Sequence, residues 1–192
     1  MVLILASSSP WKLAVLRRLG LEVDGVPHRV DESAFAFEGD PEVGVRRLAE
    51  AKALSVSRHR DANDRVIGAD QIMILEGRIF GKAAGPDEAR RILGQMQGAR
   101  HRLLCGWALT AGDRLIASGV EAVSLLMRAL GDEQIQRYVD TGEWAGTAGC
   151  YRFEGVGRQL FEEVDGDYFA ILGMPVQSLL PVLRREGVEG VI

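Results

Sequence analysis

The sequence has few cysteines and no long apolar run. Cys105 and Cys150 are its two cysteines among 192 residues, and their separation matches neither a metal-binding nor a disulfide-rich pattern. We therefore expect free thiols and a cytoplasmic protein. No apolar stretch reaches the length of a membrane span, and the start MVLILASSSP lacks the basic segment of a secretory signal.

An excess of basic charge is also missing. The chain has 23 Lys and Arg against 27 Asp and Glu, which gives a formal net charge of −4. Such a chain has no general field that attracts nucleic acid, although a small polyanion needs only a few local cations. With 47% hydrophobic and 26% charged residues the composition is ordinary for a globular protein. The length suits one domain with a sizeable core or two small lobes, and we expect a single domain over residues 1–192.

Strand and helix patterns alternate in the first half of the chain, and strands dominate the middle. This order predicts an α/β fold with a mixed sheet. Ser9 and Asp40 precede Pro10 and Pro41, which is typical of helix starts, whereas Pro181 should kink or shorten the last helix. We expect helices within 9–20, 39–60, 86–98, 132–142 and 175–187, strands at 2–6 and in a hairpin at 101–130, and extended segments at 21–32 and 150–166. Between 66 and 82 we expect a strand, a kink, a second strand, a turn at Glu76-Gly77 and a short strand.

The turn ASSSPWK follows the first strand and has two interpretations. Ser9 can be an ordinary helix cap before Pro10. Alternatively Ser7, Ser8 and Ser9, together with Lys12, can hold an anion, because the start of a helix has N–H groups without intrahelical partners and a positive dipole. The turn alone leaves both interpretations open.

Acids and lysines recur near the predicted strand ends. Asp70 follows the apolar VIGA, where a carboxylate is costly unless it caps a turn, is paired or is functional. Glu32 comes after another extended segment, next to Asp31. Lys52 lies on the apolar side of a predicted helix, so it either reaches solvent or points at an anion. Lys82 follows a glycine.

Other motifs are weaker. GRIFGKA at 77–83 is one residue too short for a P-loop, and GVGRQL at 155–160 lacks the third glycine of a dinucleotide site. We interpret His28, His59 and His101 as surface or structural residues. The acids, lysines and serine-rich turn instead favour metal-assisted attack of water on a phosphoanhydride.

Several segments, taken in order, resemble one family. LILASSSPWK, VDE, LAEAKA, IGADQIMILEGRIFGK, EARRIL, AGCYRFEGVG and GDYFAILGMP resemble the Maf family of house-cleaning nucleotide pyrophosphatases, also called septum formation inhibitor proteins. The resemblance implies an inosine-triphosphatase-like fold, a mixed central sheet flanked by helices, with two lobes around an active-site cleft. It also implies hydrolysis of a nucleoside triphosphate, a divalent cation (Mg²⁺, Mn²⁺ or Co²⁺) and a homodimer.

The resemblance also assigns roles. It makes Asp70 the general base and, with Glu32, a metal ligand. It makes Lys52 and Lys82 substrate-binding residues. The same role falls on Ser7, Ser8, Ser9 and Lys12 of the first turn.

The chain departs from the commonest family pattern at SPWK, where relatives have SPRR. Trp11 replaces the first arginine, and Leu13 follows Lys12, so either the phosphate contacts are weaker than in relatives or Arg17 or Arg152 supplies the second cation. Trp11, like Gln71, resembles the family branch that acts on 7-methyl-GTP.

Glu154 and Gly157 resemble the same branch, and Glu154 would bind the charged methylated base. We therefore expect 7-methyl-GTP as substrate. GDYFAILG resembles the pyrimidine branch instead, so a dTTP/UTP pyrophosphatase is the alternative. A non-catalytic nucleotide-binding regulator of septum formation is the alternative from another class.

Overall fold

A computed structural model describes residues 1–32, 35, 37 and 39–190. Seven strands of this described part form one sheet in the order β2-β1-β3-β5-β6-β7, with β4 paired to β3. Parallel and antiparallel pairs both occur, which confirms the mixed α/β sheet. The strands are β1 Leu3–Ala6, β2 Asp24–Val26, β3 Arg65–Leu75, β4 Arg78–Phe80, β5 Arg100–Ala111, β6 Arg114–Met127 and β7 Phe161–Asp165.

Helices begin at the capping residues that the sequence predicts. Ser9 caps α1 and accepts from the Lys12 amide, and Asp40 caps α2 and accepts from the Glu42 amide. The α-helices are α1 Pro10–Arg18, α2 Pro41–Ser57, α3 Pro86–Met96, α4 Asp132–Val139, α5 Tyr168–Ile171 and α6 Val176–Arg185. None of the described helices is long and apolar enough to cross a membrane.

Three expectations need correction. The segment 66–75 is a continuous strand without the expected interruption, so Asp70 lies inside β3 rather than at its end. The burial of β3 decreases at Asp70 and Gln71 while the extended backbone continues, which explains why a charge is tolerated there. Within 21–32 the regular strand is limited to Asp24–Val26. Helix α6 continues through Pro181 to Arg185, so Pro181 does not shorten it, and the kink stays a prediction.

The chain divides into two compact units, of which the first comprises residues 1–71, 105–121 and 167–192. In this unit the two faces of the sheet have separate cores. Leu3, Leu5 and Ile67 pack on one face with α1 and α6, whereas Ile4 and Val66 pack on the other face with α2. Because side chains alternate along a strand, Asp70 lies on the same face as Val66, towards α2.

Two glycines allow α2 to lie directly on the first unit's sheet. A Cβ atom on Gly68 would lie 2.1 Å from the Ala49 carbonyl oxygen, and one on Gly106 would lie 2.4 Å from that of Val45. Both obstacles are helix backbone and cannot rotate away. Gly68 therefore brings α2 close to β3, two residues before Asp70.

We expect Gly68→Ala to lower the free energy of unfolding by about 1–3 kcal/mol, because an added methyl group must displace helix backbone. Gly94→Ala is the matched control. Nothing lies within 4 Å of a Cβ at Gly94 in α3. A glycine in a helix is about 0.5–1 kcal/mol less stable than an alanine, so the control should gain stability. Urea unfolding of both variants measures the difference, and equal stabilities would contradict the packing argument.

The second unit comprises residues 72–104 and 122–166. Its β4 forms a hairpin with the end of β3 around Glu76 and Gly77, whose φ angles are 49° and 76°. An aromatic cluster lies in its interior, where the rings of Tyr151 and Phe161 are 4.6 Å apart and His101 Nε2 lies 2.9 Å from the Tyr151 hydroxyl. Burial lowers the pKa of His101 to about 4, in agreement with its interpretation as a structural residue.

Candidate active site

The serine-rich turn forms a capped helix start. The Ser9 amide donates to Ser7 Oγ over 3.1 Å, and Ser9 Oγ accepts from the Lys12 amide over 3.4 Å. The cap interpretation is therefore confirmed, and Ser8 is exposed at the same turn. Anion binding by this turn is compatible with the cap and stays a prediction.

Lys12 reaches from α1 to β3. Its Nζ atom donates to the Ala69 carbonyl oxygen over 2.7 Å. A Cβ atom on Gly173 would lie 3.2 Å from Lys12 Cε, so the segment after α5 also lies against this side chain. The ammonium group is thereby held at the residue that precedes Asp70.

Lys52 joins the two predicted carboxylates. Its Nζ atom lies 2.5 Å from Asp70 Oδ1 and 2.7 Å from Glu32 Oε1. Lys52 is only 3% exposed, whereas the side chains of Asp70 and Glu32 are 15% and 48% exposed. A buried ammonium between two carboxylates is compensated in charge, so the functional interpretation of this apolar-face lysine has a geometric basis.

His28 belongs to this cluster, a contact that its interpretation as a surface or structural residue did not predict. Its Nε2 atom lies 3.0 Å from Glu32 Oε1. Burial and the nearby Lys52 ammonium lower the pKa of His28, while Glu32 acts in the opposite direction. The spacing of four residues between His28 and Glu32 was the available signal, but in a segment expected to be extended it did not indicate a contact.

Gln71 has a positional role that sequence reasoning missed. Its Nε2 atom donates to the carbonyl oxygens of Ala170 and Ile171 over 2.7 and 3.0 Å. These contacts attach α5 to β3 at Gln71, the residue that follows Asp70. Carbonyl acceptors on an element that is distant in sequence leave no signal in the sequence.

The remaining predicted residues divide between the two units. Trp11 is 50% exposed at the start of α1 in the first unit. Lys82 is exposed after β4, and Glu154 lies in the second unit with its Oε1 atom 3.7 Å from Arg152 Nε. Arg17, one of the two candidates for a second phosphate cation, donates to the Val23 carbonyl oxygen over 3.1 Å.

Glu32 and Asp70 supply oxygen donors of the kind that a divalent metal ion needs. No cluster of three or more His, Cys, Asp or Glu suitable for a metal occurs among the described residues. Glu32 and Asp70 nevertheless fit a hard divalent ion, because Mg²⁺ is often held by one or two carboxylates together with waters and substrate phosphates. The Lys52 ammonium contacts an oxygen of each carboxylate, so it limits how the pair can coordinate an ion.

A helix start, two lysines and two acids in one unit of an α/β fold supply groups that hydrolysis of a phosphoanhydride uses. The family described as Maf-like protein matches residues 2–186, and this chain belongs to that family. The sequence-based recognition of the family and the expectation of an enzyme of the nucleotide pyrophosphatase class are thereby confirmed.

Known relatives match nearly the whole chain. A protein of Thermoanaerobacter sp. (strain X514) named dTTP/UTP pyrophosphatase is 36% identical over 187 residues, covering 97% of each chain. A protein of Granulibacter bethesdensis named nucleoside triphosphate pyrophosphatase is 38% identical over 192 residues, covering 96% of this chain and 97% of that protein. Neither name includes 7-methyl-GTP.

A solved structure has a similar fold. The HAM1 protein from Coxiella burnetii aligns with a TM-score of 0.51 at 16% identity, covering 96% of this chain and 100% of the other. The likeness supports the predicted class of fold, a mixed central sheet flanked by helices.

Proposed function

We propose that this protein hydrolyses nucleoside triphosphates to the monophosphate and pyrophosphate, with dTTP and UTP as preferred substrates. The observation that carries the proposal is the buried Lys52 between Asp70 and Glu32. Asp70 follows Ala69, whose carbonyl oxygen accepts from Lys12. The pyrimidine preference is supported by the name of the Thermoanaerobacter relative. It replaces 7-methyl-GTP, our expectation from the sequence, as the leading substrate.

The triphosphate would bind at the start of α1. The N–H groups of this turn and the helix dipole attract anions, and Ser7, Ser8 and Ser9 add hydroxyl groups. The Lys12 ammonium, held at the Ala69 carbonyl, supplies positive charge at the same helix start. Lys82 is also a proposed substrate-binding residue.

Asp70 is the proposed general base. Its Oδ1 atom is held by Lys52, and its Oδ2 atom has no hydrogen-bond partner within the described part of the chain. We propose that Asp70 takes a proton from water as the water oxygen bonds to the α-phosphorus. The bond from that phosphorus to the bridging oxygen breaks, and its electron pair leaves with pyrophosphate.

Glu32 and Asp70 are the proposed ligands of a divalent cation. Mg²⁺, Mn²⁺ and Co²⁺ all accept oxygen ligands of this type. When bound, such an ion offsets the phosphate charge and favours the departure of pyrophosphate. Lys52 offsets part of the charge of the two carboxylates and holds both in place.

A specific observation keeps 7-methyl-GTP as the second candidate. Trp11 is 50% exposed, which contradicts packing of this residue in the core. A methylated guanine is cationic, and contact with the face of a tryptophan is worth about 0.5–2 kcal/mol to a cation. Glu154 is the other position that resembles this branch, and Arg152, 3.7 Å away, offsets part of its negative charge.

A substrate panel tests the proposal. dTTP, UTP, CTP, GTP and 7-methyl-GTP are assayed with Mg²⁺, and phosphate is measured with and without added inorganic pyrophosphatase. We expect phosphate only when pyrophosphatase is present, and the highest kcat/KM for dTTP or UTP. Phosphate released without pyrophosphatase would contradict the proposed cleavage between the α- and β-phosphates.

The same panel distinguishes the two branches. A highest kcat/KM for 7-methyl-GTP, with a roughly tenfold loss in Glu154→Gln, would support the second candidate; tenfold corresponds to about 1.4 kcal/mol. If the pyrimidine preference is correct, Glu154→Gln leaves the order of substrates unchanged. No pyrophosphate from any nucleotide would favour the non-catalytic regulator.

Two substitutions separate phosphate binding from helix capping. Lys12→Ala should raise KM severalfold while the melting temperature changes little, because it removes a cation from the helix start. Ser9→Ala should instead lower stability by about 0.5–2 kcal/mol, because it removes the cap. Arg18→Ala, at the other end of α1, is the control for a lost charge. Unchanged kinetics in Lys12→Ala would leave the cap as the turn's role.

A further inference from the structure

The loop that carries His28 and Glu32 is attached to α2 independently of the His28 ring. The Arg29 amide donates to Ser55 Oγ over 3.2 Å, and Ser55 Oγ donates to the Lys52 carbonyl oxygen over 2.8 Å. The backbone of the loop is therefore linked to the helix turn that carries Lys52. Removal of the imidazole leaves this attachment in place.

The hydrogen bonds define the state of the ring. The Val30 amide donates to His28 Nδ1 over 3.3 Å, so Nδ1 is the acceptor and the ring proton lies on Nε2. Nε2–H then donates to Glu32 Oε1 over 3.0 Å.

Glu32 needs more than Lys52 to define its orientation. Its side chain is 48% exposed, and a long glutamate side chain loses rotamer entropy when it is held in one orientation. An ammonium is a compact charge with rotatable donors and imposes little direction. A flat ring at 16% exposure, fixed at Nδ1, offers a donor in one defined direction.

We propose that His28 is a positioning residue of the hydrolytic site, whose Nε2–H holds the Glu32 carboxylate against Lys52. The inference rests on the proposed function of Glu32 and deepens it. His28 touches neither water nor substrate in this role. It acts as the hydrogen-bonded partners behind metal ligands do, and loss of such a partner typically costs about 10- to 100-fold in metal affinity or activity.

The test compares His28→Leu, which removes the donor, with His28→Gln, which retains an N–H donor. Mn²⁺ affinity is measured by calorimetry without nucleotide, and kcat is measured on the best substrate of the wild-type protein. We expect His28→Leu to lower one or both by about 10- to 100-fold with a melting temperature near that of the wild type. His28→Gln should recover most of the loss. His59→Leu is the matched control, since His59 pairs with Arg29 and touches neither acid.

A double-mutant cycle with Glu32→Gln tests the route of the effect. His28→Leu should have little further effect once the Glu32 carboxylate is gone. An equal loss in both backgrounds, no loss in His28→Leu, or a loss that His28→Gln does not recover would overturn the inference. These outcomes differ from failure of the proposed function, in which the wild-type protein itself releases no pyrophosphate. In that case the Mn²⁺ affinities of the wild type, His28→Leu and His28→Gln decide the role of His28.

Discussion

Asp70→Asn should abolish most turnover while the protein remains folded. Asparagine has nearly the same shape but cannot accept a proton from water. Loss of a general base typically lowers kcat by about 10²–10⁴-fold. The side chain is only partly buried, and Asn can still accept from Lys52, so the melting temperature should change less than the rate. The measurements are kcat and KM on the best substrate, with thermal unfolding.

Asp113→Asn is the matched control for this substitution. Asp113 is 84% exposed and pairs with Arg58 at 3.1 Å, an interaction that contributes little to stability. It should have wild-type kinetics. If Asp70→Asn retained near-normal turnover, Asp70 would not be the base, and Glu32→Gln would be the next variant to measure.

The helix starts could be predicted because their signals are local. Ser9-Pro10 and Asp40-Pro41 combine an oxygen acceptor with a residue that needs no N–H partner, and both helices begin there. The same holds for the turn at Glu76 and Gly77, which joins β3 to β4. Each of these signals is contained within a few residues.

Interactions between distant segments were harder to predict. Asp70 was expected at a strand end because a charge inside an apolar strand is costly, but β3 continues past it as its cover decreases. The double hydrogen bond of Gln71 to α5 spans about a hundred residues of sequence. His28 was missed for a different reason, since its contact with Glu32 depends on the irregular shape of a loop.

The preference for one nucleobase was the property that the local sequence indicated least clearly. Trp11 is in the first unit, whereas Glu154 is in the second. The sequence indicates the 7-methyl-GTP branch at both positions, while GDYFAILG resembles the pyrimidine branch. The ion pair of Glu154 with Arg152 gives a physical reason why a glutamate need not act as a full negative charge towards the base.

Lys52→Met should cost both stability and activity, and the two losses can be separated. Removal of the buried ammonium leaves Asp70 and Glu32 close together without the cation that both contact. Breaking a buried ion pair by removing one partner typically destabilises by about 3–5 kcal/mol. Because Asp70 and Glu32 are partly exposed, solvent should reduce this cost. We also expect kcat to fall by about 10²-fold, the usual cost of losing one fixed electrostatic contact in an active site.

The double variant Lys52→Met/Asp70→Asn distinguishes the origins of these losses. Asp70→Asn removes one of the two uncompensated charges, so it should restore part of the stability that Lys52→Met loses, whereas activity should not return. Lys52→Arg, which keeps the charge, should unfold closer to the wild type than Lys52→Met does. If Lys52 were only a lysine with a buried stem and a solvated head, the folded fraction of Lys52→Met would hydrolyse nucleotides at the wild-type rate, and Asp70→Asn would restore no stability. Urea unfolding and kcat are measured for the wild type, Lys52→Met, Lys52→Arg and the double variant. They determine whether the ammonium holds the two carboxylates for catalysis or only fills space in the packing.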